Sequence, residues 1–280
     1  MRWQGRRESE NVEDRRGSGG GMILKGGIGT IVIGIIYLLL GGDPSTVLNS
    51  VVEQQQTQTA ATPRNEAEEK LASFSRVMLA DTEDVWSEIF KERNETYRQP
   101  TLVLFTEQTQ SGCGFSSAAT GPFYCPADEK LYLDLSFFSE LDSRFGAPGE
   151  FAMAYVIAHE VGHHVQQLMG VFDKTEQQRQ SLSKTEYNKL SVKTELQADF
   201  YAGVWAHRNQ QMKNFMESGD LESALNAANA IGDDRLQQRS GGTVVPDAFT
   251  HGSSQQRMYW FKKGFETGDI KQGNTFQNEE

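Results

Sequence analysis

The sequence predicts an α+β fold, mainly helical with a small sheet, carried behind one N-terminal transmembrane helix. Three observations lead there. Residues 149–169 and 185–208 read as two long, packed helices. Thr101–Phe105 and Leu131–Leu135 are short runs of β-branched or alternating character, which suits strands. An uncharged apolar run extends from Gly26 to Gly42.

In chain order, residues 1–21 are polar and Arg-rich and end in a glycine-rich stretch, which reads as a disordered tail. Residues 22–42 form the anchor. A full span needs about 20 apolar residues, so this run is short and draws on Met22–Leu24. The segment Gly41-Gly42-Asp43-Pro44 is a poor cleavage site, which favours an uncleaved anchor over a signal peptide. Basic residues precede the run and Arg64 is the first to follow it. The positive-inside rule then places the N-terminus in the cytoplasm and the body outside. Residues 43–70, rich in Gln, Thr and Ala, read as a linker.

The domain proper is expected over 71–280. Asp81-Thr82-Glu83-Asp84 resembles a helix start, with Val85, Trp86, Ile89 and Phe90 on one face, and Pro100 breaks that helix. After the strands come the helix over 149–169, ended by Gly170, and the helix over 185–208. Asp220 opens a third helix that Gly232 closes. Ser253 and Gln256 form a capping-box pattern for a last helix through Phe265.

The net charge is −11, and the basic residues of the N-terminal tail leave the body more acidic still. An acidic body argues against nucleic acid, because phosphate binding needs a basic surface. The two cysteines, Cys113 and Cys125, are read as a disulfide in an extracytoplasmic body. Closing that loop is worth about 3 kcal/mol in the chain-entropy picture.

The chemistry concentrates in Ala158-His159-Glu160-Val161-Gly162-His163-His164. Histidines at i and i+4 on a helix lie one above the other and can share one cation, and zinc accepts imidazole nitrogen. Glu160 is rotated about 100° from His159, which suits it to act as general base on a metal-activated water rather than as a ligand. Two His and a Glu in so apolar a helix are costly without a purpose. A third ligand must come from elsewhere. Gln166 and Met169 stand where a third histidine-bearing extension would need Gly and His. Glu195 and Asp199, four apart on the later helix, supply carboxylates on one face. Glu195 is expected to ligate zinc, and Asp199 to accept the N–H of a ligating histidine. His164, off the ligand face, is left unassigned as a hydrogen-bonded neighbour, and His207 is expected to be structural or exposed.

The HExxH pair with the downstream Glu195-Leu196-Gln197-Ala198-Asp199 resembles the gluzincin zinc peptidases. The chain is similar, closer still, to a bacterial family of neutral zinc metallopeptidases. The likeness runs through Met1–Ser9, Asn11–Arg16, Gly121–Pro126, Tyr132–Asp134, His159–His163, Glu195–Asp199 and His251–Ser253. It implies a zincin-like fold, Zn2+ and a peptidase-type site, with His159, His163 and Glu195 as ligands, Glu160 as base and Asp199 behind them. Gluzincins often add a His or Tyr that stabilises the oxyanion. His251, just before the last helix, is the candidate, with Tyr132 and Arg257 behind it. By the same analogy, the strand Lys130–Leu135 is expected at the cleft edge, where an extended peptide pairs. The expected partners are a protein or peptide substrate and, through the anchor, the bacterial inner membrane, with the catalytic domain periplasmic. The competing expectation is a zinc-dependent binding or quality-control module.

Overall fold

A computed structural model describes residues 1–17 and 65–277. The anchor expected over 22–42 and most of the linker lie outside the described residues. Among the described residues no helix is long and apolar enough to cross a membrane.

The main sheet has the order β1 (Val12–Asp14), β2 (Thr101–Phe105), β6 (Lys130–Asp134), β5 (Phe123–Cys125). The first three strands are parallel, and β5 runs antiparallel against β6. Strand β2 is buried on both faces along most of its length, as expected of a near-continuous apolar run inside a parallel sheet. A separate hairpin, β3 (Gln108–Ser111) and β4 (Gly114–Ser117), precedes β5. The bond between Cys113 and Cys125 ties this hairpin to β5.

Helices make the rest. They are α1 (Glu66–Glu92), α2 (Ser136–Ser143), α3 (Glu150–Leu168), α4 (Val171–Arg179), α5 (Lys184–Lys213), α6 (Asp220–Ala230), α7 (Asp233–Arg239) and α8 (Ser254–Thr267). Helix α3 is the hub. It packs on β5 and β6 at one side and on α1, α5 and α6 at the others. That is why its sequence is apolar nearly all round. Phe151, Tyr155, Phe200, Trp205 and Phe261 fill the space between α3, α5 and α8. The expected caps are in place. Ser183 with Glu186 opens α5 and Ser253 with Gln256 opens α8, each as a reciprocal capping box. Gly170 ends α3 in the left-handed region, φ 69°.

Two expectations are corrected. The first is the disordered tail: residues 1–17 are folded onto the body. Strand β1 pairs in parallel with β2, and Trp3 is buried edge-on against Phe74 at 5.3 Å. Arg6 pairs with buried Asp81, which also holds Lys213 at 2.8 Å, and Arg7 reaches Glu83 at 3.0 Å and Asp84 at 2.7 Å. Ser9 and Asn11 also donate to Glu83. The second is the acidic run Asp81–Asp84, which does not start a helix. It sits in the middle of α1, which opens at Glu66 with Asn65 as its cap, inside the expected linker. The acids are there to receive the N-terminal arginines and Lys213.

The Trp3→Ala variant is therefore expected to lose about 3 kcal/mol of stability, as a buried aromatic does. Denaturant unfolding of the full chain checks this. A change within about 0.5 kcal/mol, the range for exposed positions, would return residues 1–17 to a tail.

Candidate metal centre

Helix α3 carries His159 and His163 one turn apart, with ring centroids 4.8 Å from each other. Helix α5 crosses it and presents Glu195 to both rings. His159 Nε2 lies 3.1 Å from Glu195 Oε2, and His163 Nε2 lies 3.5 Å from Glu195 Oε1. The crossing is close because position 162 is glycine. A Cβ there would sit 2.9 Å from the carbonyl oxygen and 3.0 Å from the Cα of Ala198. The residue between the two histidines thus sets how near the two ligand-bearing helices come.

The donor set fits zinc. Two imidazoles and one carboxylate, all within 4.8 Å of one another, leave a fourth position open. Tetrahedral bonds of about 2.0–2.1 Å put neighbouring ligand atoms roughly 3.3 Å apart, a value between the two measured separations. The lone pairs make the same point. Asp199 Oδ1 stands 2.8 Å from His159 Nδ1 and, as a carboxylate, only accepts. The proton of neutral His159 is therefore on Nδ1, and Nε2 turns a lone pair toward Glu195. Two acceptors at that distance need a cation or a proton between them.

Protons take that role in the metal-free chain. Burial lowers the pKa of His159, but the carboxylates of Asp199 and Glu195 outweigh it and lift it from 6.5 to about 10. His163 moves up for the same reason, through Glu195. Burial pushes Glu195 up, and the two imidazoles overcome this and hold it well below the usual carboxylate range.

Asp199 is fully buried and saturated. Besides His159 it receives the Tyr155 hydroxyl at 2.5 Å and Arg257 through Nε at 2.8 Å and Nη2 at 3.0 Å. The arginine makes burial of that charge tolerable. His163 is held differently: its Nδ1 faces the amide oxygen of Gln166, 2.9 Å away. Gln166 had entered the sequence reading only as the residue at the glycine position of an excluded pattern. A neutral amide three residues on leaves no spacing signature.

Glu160 is half-buried beside the triad and has no hydrogen-bond partner among the described residues. Burial raises its pKa, the two histidines lower it, and Glu195 raises it further, with a net rise.

His251 reaches the same neighbourhood, since the charges of Glu195 and Arg257 both act on it. Its ring is half-exposed and stands 3.1 Å from Asp233 Oδ1. The other oxygen of Asp233 accepts the backbone N–H groups of Thr250, His251 and Gly252 at 2.7, 2.7 and 3.1 Å. Asp233 thus fixes both the loop and the ring. Hydrogen bonding to it raises the pKa of His251. Sequence reasoning missed Asp233, although two acids directly after Gly232 open α7 and were available as a signal.

The alternatives to His251 are otherwise engaged. Tyr132 is buried in β6, stacked on Phe123, and donates to Asp128 at 2.7 Å. Arg257 spends its donors on Asp199 and on the Ile231 carbonyl. His164 is neutral and structural. Its Nε2 donates to the Arg98 carbonyl at 2.6 Å, its Nδ1 accepts from Tyr124, and burial lowers its pKa to about 4. His207 is likewise bound, to the Phe265 carbonyl and Gln211. The expected cleft edge is corrected too. The strand Lys130–Asp134 is flanked on both sides, and among the described residues the edge strand there is β5.

The family model described as "Putative neutral zinc metallopeptidase" matches residues 1–276. The uncharacterized protein YpfJ of Escherichia coli (strain K12) is 52% identical over 287 residues, covering 99% of each chain. The uncharacterized protein Rv2575 of Mycobacterium tuberculosis (strain H37Rv) is 44% identical over 190 residues, covering 64% of this chain and 63% of that one. No solved structure matches the chain.

These protonation states give opposite pH slopes with and without metal. In the metal-free protein the raised histidine contributes stability that is complete below pH 6.5 and lost as pH rises toward about 10. Zinc competes with the same protons, so the stabilisation it adds grows as pH rises from 5 to 8. Melting scans with zinc and with chelator should diverge over that range, and parallel curves would contradict the assignment.

Proposed function

We propose, on the premise that this chain belongs to the neutral zinc metallopeptidase family, that it is a zinc-dependent peptidase. It hydrolyses peptide bonds in protein or peptide substrates, with His159, His163 and Glu195 holding the metal and Glu160 as general base. The observation that carries this is the unpartnered carboxylate of Glu160 beside three converging donors. A purely structural site would fill its fourth corner with another side chain.

Bound zinc supplies Lewis acidity, polarising a carbonyl and bringing the pKa of a coordinated water down to about 7. The chain's own residues do the rest. Glu160 accepts the proton of the attacking water and delivers it to the leaving amine, and its raised pKa brings it closer to the range where both transfers are efficient. His251, kept in place and kept basic by Asp233, donates to the oxyanion as charge develops there. Asp199 keeps the Nδ1 proton on His159, and Arg257 cancels the charge of Asp199, leaving Glu195 to face the metal as the one uncompensated ligand charge. We also propose an oxidising compartment outside the cytoplasm for the body, a reading that the Cys113–Cys125 bond supports.

The Glu160→Gln variant is expected to retain one zinc per chain and to lose 10²–10⁴-fold in turnover, the usual contribution of a positioned base. Glu195→Ala should lose the metal. Metal analysis and cleavage of unfolded protein substrates measure both. A fully active Glu160→Gln protein contradicts the mechanism. A wild-type protein that holds zinc, captures unfolded chains and cleaves none would instead be a binding module.

A further inference from the structure

The two ligating imidazoles differ in what stands behind them, and the difference can be followed atom by atom. Behind His159 is a carboxylate whose charge an arginine cancels. Behind His163 is a chain of amides. Gln166, fully buried, sets its Oε1 2.9 Å from His163 Nδ1. Its Nε2 donates to the Thr194 carbonyl at 2.7 Å and to Gln197 Oε1 at 3.1 Å. Gln197, also buried, donates from Nε2 to the carbonyl of Gly273 at 2.8 Å.

Donor and acceptor logic fixes every group in this chain. A backbone carbonyl only accepts, so the Gln197 amide must turn its NH2 to Gly273 and its oxygen to Gln166. Gln166 meets two acceptors, that oxygen and the Thr194 carbonyl, and must turn its own NH2 to them. Its oxygen is left for His163. The proton of neutral His163 is then on Nδ1, and Nε2 keeps its lone pair for the metal. The terminus of the relay is itself fixed. Thr275 donates to the Lys193 carbonyl at 2.6 Å. A Cβ at Gly273 would fall 2.3 Å from Cδ1 of Phe200, so only glycine brings that carbonyl so close to α5. Gln166 stands three residues after His163, and Gln197 midway between Glu195 and Asp199.

We infer that Gln166, oriented by Gln197 and by the Gly273 carbonyl, is a positioning residue that fixes the tautomer of His163 and directs its Nε2 into the metal site. This rests on the metal assignment proposed above. It gives the segment Ile270–Phe276 a role at a distance: it terminates the hydrogen-bond relay that orients a ligand. Outer-shell partners of this kind are worth 10–100-fold in metal affinity.

The test uses the full chain with zinc as the probe. Chelator competition gives the zinc dissociation constant. Exchange of the His163 Nδ1 proton, followed by nitrogen–proton NMR on the zinc-loaded protein, reports the tautomer, and melting of the metal-free protein reports the fold. Gln166→Ala is expected to weaken zinc 10–100-fold and to expose the Nδ1 proton to fast exchange. Gln197→Met, which touches neither imidazole, should move both readouts in the same direction by a smaller factor. It carries the test alone if Gln166→Ala does not fold. Both variants binding zinc within twofold of the wild type, with the proton still protected, would overturn the inference. A loss in Gln166→Ala with none in Gln197→Met would overturn the part given to Gln197 and Gly273. A wild-type chain that takes up no zinc would overturn the metal assignment, and this role with it.

Discussion

Position 162 has no side chain, and the geometry of the site follows from that. Between His159 and His163 the backbone of α3 rests against Ala198 of α5, at a distance that a single methyl group would not fit. Among the described residues, the three converging donors come from these two helices. If the helices separated by the width of a methyl group, Glu195 would no longer bridge both imidazoles. The large buried aromatics around the crossing hold α3 and α5 in that contact from the far side. Close-packed interiors accommodate such changes poorly, so the spacing is set by the core as a whole.

Charge is arranged with the same economy. Ionisable groups crowd together at the centre of the domain, His159, His163, Glu195, Asp199 and Arg257 among them. Asp199 and Arg257 neutralise each other. What remains is one carboxylate facing two imidazoles, a pocket that protons occupy in the metal-free chain and that suits a cation once they leave. Buried ionic groups without such pairing are strongly destabilising. Outside this core, Asp233 performs for the 250–252 loop what Asp199 performs for His159: one acid collects several N–H donors and fixes a ring. The two devices meet at α8, whose first turn begins just after His251 and carries Arg257.

What could be read from the sequence divides along a physical line. Patterns local in sequence were legible. They include the apolar runs of α3 and α5, the strands β2 and β6, the two capping boxes, and a histidine pair whose spacing is the helical period itself. Glu195 and Asp199 were found because four residues is again one turn. Features made by distant pairing were not legible. The N-terminal segment is polar and rich in arginine, which is also the composition of a disordered tail. The acids of α1, some 75 residues on, and the pairing of β1 with β2 make it part of the fold. The same acids, seen without their partners, resembled a helix start. Gln166 and Asp233 escaped for a related reason. Gln166 has meaning only once α5 brings up the Thr194 carbonyl and Gln197, and Asp233 only against the 250–252 loop.

The account stands on one zinc ion held by two imidazoles and a carboxylate. X-ray absorption at the zinc edge of the purified protein examines that directly. The predicted spectrum is four-coordinate, with nitrogen and oxygen neighbours at about 2.0–2.1 Å, the multiple-scattering signature of two imidazoles and no sulfur. Sulfur at about 2.3 Å, a shell of six oxygens, or protein without stoichiometric zinc would contradict it.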